Sequence, residues 1–204
     1  MGRIYQEIDD KLAAWIARQP LYFVGTAPLD ADGHVNVSPK GPIGTLRVTG
    51  PREVAYLDLV GSGAETAAHL QENGRIVIML CAFEGAPRIL RLHGRGEVIW
   101  AEDAAFEPLR AALAFDEPEV DATRRAIVRV TVTRIADACG FGVPLMDHID
   151  SRANATKWAH GKLRKDGPDA MDIYKTTKNT TSIDGLPAWP GAVVGGDDGG
   201  SVSA

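Results

Sequence analysis

From Arg75 to Phe83 both alternations of the chain are apolar: Ile76, Ile78 and Leu80 on one, Val77, Met79 and Cys81 on the other. Successive side chains of a strand point to opposite faces, so such a strand needs cover on both. Stretches of strand-forming residues surround it: Leu21–Ala27, His34–Ser38, Thr45–Thr49, Glu53–Leu59, Arg88–Trp100 and Ala126–Ile135. Most are joined by short turns such as Asp30-Ala31-Asp32-Gly33 and Gly50-Pro51-Arg52. Six or seven strands joined this way predict a mainly β fold, a closed antiparallel barrel with peripheral helices. Gly94 and Gly96 in one strand suit a sharp barrel bend. An open α+β sheet is the rival architecture.

Helices fall between the strands. Ile4, Ile8, Leu12, Trp15 and Ile16 recur at helical spacing over about residues 5–18, ended by Pro20. Ala64–Glu72 is a short helix stopped by Asn73-Gly74, and Glu102–Ala114 is another. Residues 151–178 are polar and helix-prone. We expect one domain over residues 1–190 and a disordered Gly-rich tail over 191–204.

The chain has 204 residues and a formal net charge of −5, which argues against a general nucleic-acid binder. No apolar run reaches membrane-spanning length and no signal segment opens the sequence, so the expected location is cytoplasmic, with no membrane partner. There Cys81 and Cys139 are expected as reduced thiols. The five histidines show no metal-ligand spacing, so no metal site is expected.

Two stretches carry chemistry. Val35-Asn36-Val37-Ser38-Pro39-Lys40-Gly41 runs a strand into a lysine. Gly61-Ser62-Gly63-Ala64-Glu65-Thr66 is a glycine-rich turn opening a helix. Together they offer an anion a cation, two hydroxyls and the free N–H groups of a helix start, which suits a phosphate-bearing ligand. No GxGxxG follows a strand and no GxxxxGK[ST] is present. Each residue has a plainer use. Lys40 can be a solvated strand end, and Ser62 and Thr66 can cap the helix. Glu65 would repel a phosphate unless its side chain turns away. The alternation Arg91, His93, Arg95, Glu97 reads equally as a polar strand face. Trp100, Trp158 and Trp189 read as packing anchors.

In their order, Tyr22-Phe23-Val24-Gly25-Thr26, Asp32 to Gly41, Val54-Ala55-Tyr56-Leu57-Asp58, Gly61 to Thr66 with His69-Leu70, and Arg88 to Gly94 resemble the pyridoxamine 5′-phosphate oxidase-like, FMN-binding split-barrel family. Cys139 to Pro144 and Ser182 to Pro187 resemble the tail signatures of one uncharacterised branch. The resemblance covers about residues 5–190. It implies a six-stranded split barrel, a homodimer with FMN at the subunit interface, and hydride transfer at the flavin N5. The substrate is a small molecule, with NAD(P)H a candidate reductant.

Carried over by position, Asn36, Val37, Ser38, Pro39 and Lys40 line the flavin ring edge, and Tyr56, Leu57 and Asp58 lie under the ring and ribityl chain. Ser62, Gly63 and Thr66 hold the phosphate, and Arg88 or Arg91 completes the anion site, Arg91 from the other subunit. No catalytic residue stands out. True pyridoxamine phosphate oxidases carry Ser-Arg-Lys at the phosphate turn and an Arg-Leu motif near the C-terminus. Here the turn reads Ser62-Gly63-Ala64 and the last residues are rich in Gly and Asp, so vitamin B6 oxidation is not expected. A non-catalytic flavin or haem protein and a deazaflavin-dependent reductase are the alternatives.

Overall fold

The computed structural model describes residues 2–116 and 120–190; the expected tail over 191–204 lies outside the described residues. Eight antiparallel strands form one sheet: β1 (Ile4–Tyr5), β2 (Tyr22–Thr26), β3 (Asn36–Lys40), β4 (Leu46–Gly50), β5 (Glu53–Leu59), β6 (Arg75–Cys81), β7 (Ile89–Trp100) and β8 (Arg124–Ala138). The order is β3-β2-β6-β7-β8-β5-β4, with β1 on the free flank of β8. Eight strands replace the six expected. β1 is only two residues long, too short to leave a periodic signal. It pairs Ile4 with Ala136 and Tyr5 with Ile135, on the flank that β5 vacates beyond Thr131.

The sheet is rolled. Four strand spacings separate β2 from β5, roughly 19 Å in a flat sheet at about 4.8 Å each. Yet the rings of Tyr22 on β2 and Tyr56 on β5 lie 5.7 Å apart, edge to face. The end strands β3 and β4 are not paired with each other, so the barrel is split, as the family resemblance implies, and not closed as the strand pattern alone suggests. Pro39, which has no N–H to donate, sits on the end strand β3, where it costs no interior ladder bond.

The interior is one apolar cluster. Val24, Tyr56, Ile78, Leu80, Leu90, Leu92, Val130 and Ile135 are all fully buried in it. Helix α1 (Asp10–Ala17) buries Leu12 and Ile16 there, capped by the Asp9 carboxylate, which accepts the Leu12 N–H at 2.8 Å. That cap starts the helix five residues later than the apolar spacing predicts. Helix α2 (Glu65–Asn73) ends on Gly74 at φ +70°, as Asn73-Gly74 foretells. Its Leu70 packs against Gly96, where an added Cβ would stand 3.0 Å from the leucine methyls. Helix α3 (Phe106–Leu113) covers the outer faces of β5 and β8 through Phe106, Leu57 and Ile127. The helix-prone region resolves into α4 (Asn154–Asp166) and α5 (Ala170–Lys178), broken at Gly167. β6 buries Ile76, Ile78 and Leu80 inward, but Val77 and Met79 on its outer face are only half-buried.

Candidate functional site

The two stretches singled out from the sequence meet at the split. Lys40, the last residue of β3, reaches across it. Its Nζ donates to Asp58 Oδ1 on β5 at 2.6 Å. The other carboxylate oxygen of Asp58 accepts the Arg125 Nε–H at 2.7 Å. Arg125 is only 3% exposed. A β-bulge puts it there: Asp58 pairs with Ala126 and Leu59 with Arg124, so Arg125 is the extra residue and is re-aimed toward the carboxylate. Burial pushes the Asp58 carboxyl up. The charges and hydrogen bonds of Arg125 and Lys40 outweigh it and bring the pKa down to about 2. Two cations on one carboxylate leave one net positive charge at the split.

Arg125 also ties this cluster to the glycine-rich turn. Its Nη1 donates to the Gly63 carbonyl at 2.8 Å and to Asn179 Oδ1 at 3.0 Å. The Asn179 Nδ2 donates to the Gly61 carbonyl at 3.0 Å. Gly61, Ser62 and Gly63 are exposed, and a Cβ at Gly61 or Gly63 would meet nothing within 4 Å. No side chain caps α2, so Ser62 and Thr66 do not spend their hydroxyls on that plainer use. Glu65 does turn away: its carboxylate accepts the Ile183 N–H, at 3.1 and 3.2 Å.

A second polar group lies behind β3. Asn36 Nδ2 donates to the hydroxyls of Thr26 and Thr66, both at 3.1 Å, and Asn36 Oδ1 accepts the Ser38 hydroxyl at 2.8 Å. Thr26 Oγ1 meets His69 Nδ1 at 2.9 Å. His69 is fully buried, and burial holds its pKa below the ordinary value despite nearby Glu65. Thr66 is thus buried and engaged by Asn36 rather than open at the turn.

The remaining predicted residues are placed elsewhere. Val37 and Pro39 are exposed on the outer side of β3. Tyr56 points into the barrel, its hydroxyl without a partner, and Leu57 packs under α3. Arg88 lies over Trp15, 5.2 Å from its ring centroid, and 3.8 Å from Asp137, on a cavity of about 680 Å³ beside the β6–β7 turn. Arg91 stands on β7 opposite Met79 and Ala136. Neither arginine makes an ion pair or hydrogen bond with Lys40, Asp58 or the glycine-rich turn.

Arg125 and Asn179 were not singled out from the sequence. The faint signal for the first is a pair of arginines set directly before the apolar run Ala126-Ile127-Val128; for Asn179, just past α5, there is none. Gly41 and Leu59, the chain neighbours of Lys40 and Asp58, line a cavity of about 620 Å³ that opens between Pro42, Val60 and the start of α4, with His148 and Trp158 on its wall. Trp158 packs on Tyr174 and Trp100 on Trp189, with centroids 5.0 and 4.6 Å apart. Cys81 and Cys139 are free thiols. Among the described residues no helix is long and apolar enough to cross a membrane, and no three His, Cys, Asp or Glu side chains gather as a metal site.

Residues 8–139 match the family model described as pyridoxamine 5′-phosphate oxidase. A curated relative, the pyridoxamine 5′-phosphate oxidase family protein ustO of Aspergillus flavus, is 38% identical over 197 residues, covering 92% of this chain and 78% of the relative. Among solved structures, an FMN-binding protein from Syntrophomonas wolfei subsp. wolfei matches at 16% identity and a TM-score of 0.45, over 62% of this chain and 81% of that one. A FAD-binding protein from Mesorhizobium loti matches at 11% identity and a TM-score of 0.44, over 67% and 96%. Both structural likenesses are distant and say nothing of what this chain binds.

Proposed function

The chain belongs to the pyridoxamine 5′-phosphate oxidase family, and from that premise we propose that it binds FMN and is a flavin-dependent oxidoreductase acting on a small molecule. The observation that carries this reading is the junction of Lys40, Asp58 and Arg125 with the uncapped start of α2. A phosphate needs cationic charge and unspent N–H donors. The junction has a net positive charge, and an exposed glycine-rich turn stands at a helix start whose first N–H groups lack intrahelical partners. The one acidic group of the first turn, Glu65, is held off by Ile183.

Ser62, Gly63 and the first N–H groups of α2 would hold the phosphate, and Asn36–Lys40 would border the ring. Bound FMN would supply hydride transfer at its N5. The chain's own residues supply position and charge. Lys40 has two N–H donors beyond the one given to Asp58, and one charge-assisted hydrogen bond from it to the anionic cofactor is worth roughly 1.5–3 kcal/mol. Asn36, fixed by Thr26 and Thr66, orients the Ser38 hydroxyl. The cavity lined by Gly41 and Leu59 is within the usual size of small-molecule sites and is the proposed seat of the substrate. The turn Ser62-Gly63-Ala64 lacks the basic residues of true pyridoxamine phosphate oxidases, so pyridoxamine 5′-phosphate is not the substrate we propose.

We place the FMN at a homodimer interface. Val35 and Val37, 72% and 65% exposed, and half-buried Val77 rim a shallow groove of about 470 Å³ over β2, β3 and β6, an apolar surface suited to a second copy. The direct test is the absorbance of protein reconstituted with FMN and desalted. Retained flavin bands are expected; a Soret band after haem addition, or no retained chromophore, overturns the reading. Lys40→Ala with Ser62→Ala should lower FMN retention at least tenfold, and unchanged retention moves the site elsewhere.

A further inference from the structure

The family model ends at Cys139, yet the glycine-rich turn is shaped by residues beyond it. Residues 179–189 form a strap against α2. Ser182 N–H donates to the Leu186 carbonyl at 2.9 Å and Ala188 N–H to the Thr180 carbonyl at 2.8 Å, folding the strap on itself. Ala188 packs fully buried against Ala64 and Ala68, and Asp184 pairs with His34 at 2.7 Å. Asn179, fully buried at the base of the strap, and Arg125 take the carbonyls of Gly61 and Gly63.

A trans peptide unit is planar, and its carbonyl and the following N–H point in opposite directions. The only cis bond among the described residues is Gly41–Pro42. Fixing the Gly61 carbonyl on Asn179 therefore turns the Ser62 N–H away from the strap. Fixing the Gly63 carbonyl on Arg125 likewise turns the Ala64 N–H away from the arginine. Neither N–H donates to any described residue. Both groups point away from the Asn179–Arg125 pair, leaving two donors unspent for an anion at the exposed turn.

We propose that Asn179 is a positioning residue for the phosphate of the cofactor. The strap holds the turn's carbonyls inward so that its N–H groups face the anion, and holds Glu65 away. This rests on the flavin reading above and adds that phosphate recognition is organised by the C-terminal segment, outside the part of the chain that the family model matches.

Asn179→Leu isolates the claim, because it is close in size, removes the donor to Gly61 and adds no charge near the phosphate, while Arg125 keeps Asp58 and the Gly63 carbonyl. Wild type and variant are titrated with FMN and with riboflavin, which lacks the phosphate, following quenching of flavin fluorescence. The expected result is an FMN Kd raised about tenfold with riboflavin binding within about twofold of wild type. Equal FMN binding by both proteins, or equal loss of FMN and riboflavin, overturns the proposal. The second pattern would mark Asn179 as merely structural. Should Asn179→Leu not fold, Asn179→Ser gives the same comparison. Wild type that binds neither flavin overturns the flavin reading itself, and the positioning role with it.

Discussion

Asp58 shows how one buried residue decides the electrostatics of a site. Alone at 5% exposure its carboxyl would be pushed up and neutralised. With Arg125 and Lys40 on its two oxygens it stays ionised to about pH 2. Its folded pKa lies below the ordinary 3.8, so the unfolded chain takes up the proton first. The stabilisation is complete above that ordinary value and is lost as pH falls from 3.8 toward 2. The size is about 2 kcal/mol. Asp58→Ala should remove this acid limb from a stability-against-pH profile measured by urea unfolding. It should also cost about 3 kcal/mol near neutrality, since two cations are left facing each other. An unchanged acid limb in the variant would show that another carboxylate carries it.

At the scale of elements, the long β8 organises the molecule by its two irregularities. One bulge re-aims Arg125. The other, opposite His93 and Gly94, lets β7 bend over the barrel. Gly94 is where that bend demands glycine, because an added Cβ would lie 2.2 Å from the Thr131 carbonyl oxygen, a backbone atom of the paired strand. Gly94→Ala should therefore destabilise the fold by about 1–3 kcal/mol, a fall of roughly 3–10 °C in thermal midpoint. A midpoint within 1 °C of wild type, taking that as roughly the resolution of a melt, would show that the strands can part without cost. Gly96, by contrast, faces side-chain methyls of Leu70 and Ile76 and no backbone atom of a paired strand, so alanine there should be milder.

At the scale of the whole molecule, one chain leaves β3 and the outer face of β6 partly uncovered. The proposed twin subunit would cover them. Val35→Glu with Val37→Glu should shift the protein from dimer to monomer in size-exclusion chromatography with light scattering, and should weaken FMN retention with it. A wild-type monomer would overturn that arrangement.

The sequence by itself determined the mainly β fold, the positions of seven of the eight strands, and the Gly74 stop of α2, because these follow from local periodicity and backbone conformation. It also brought Lys40 and the Gly61–Thr66 turn to notice, since a cation ending a strand and glycines before a helix are local signals. Tertiary structure alone decided what those residues meet. Alternation cannot foresee the bulge that turns Arg125 inward. Nothing local marks Asn179, which is 118 residues from the Gly61 carbonyl it holds. Thr66 looks available in the sequence and is taken by Asn36 in the fold. The split itself, and the Lys40–Asp58 bridge across it, exist only once the sheet has rolled and brought β3 within reach of β5, its two end strands left unpaired.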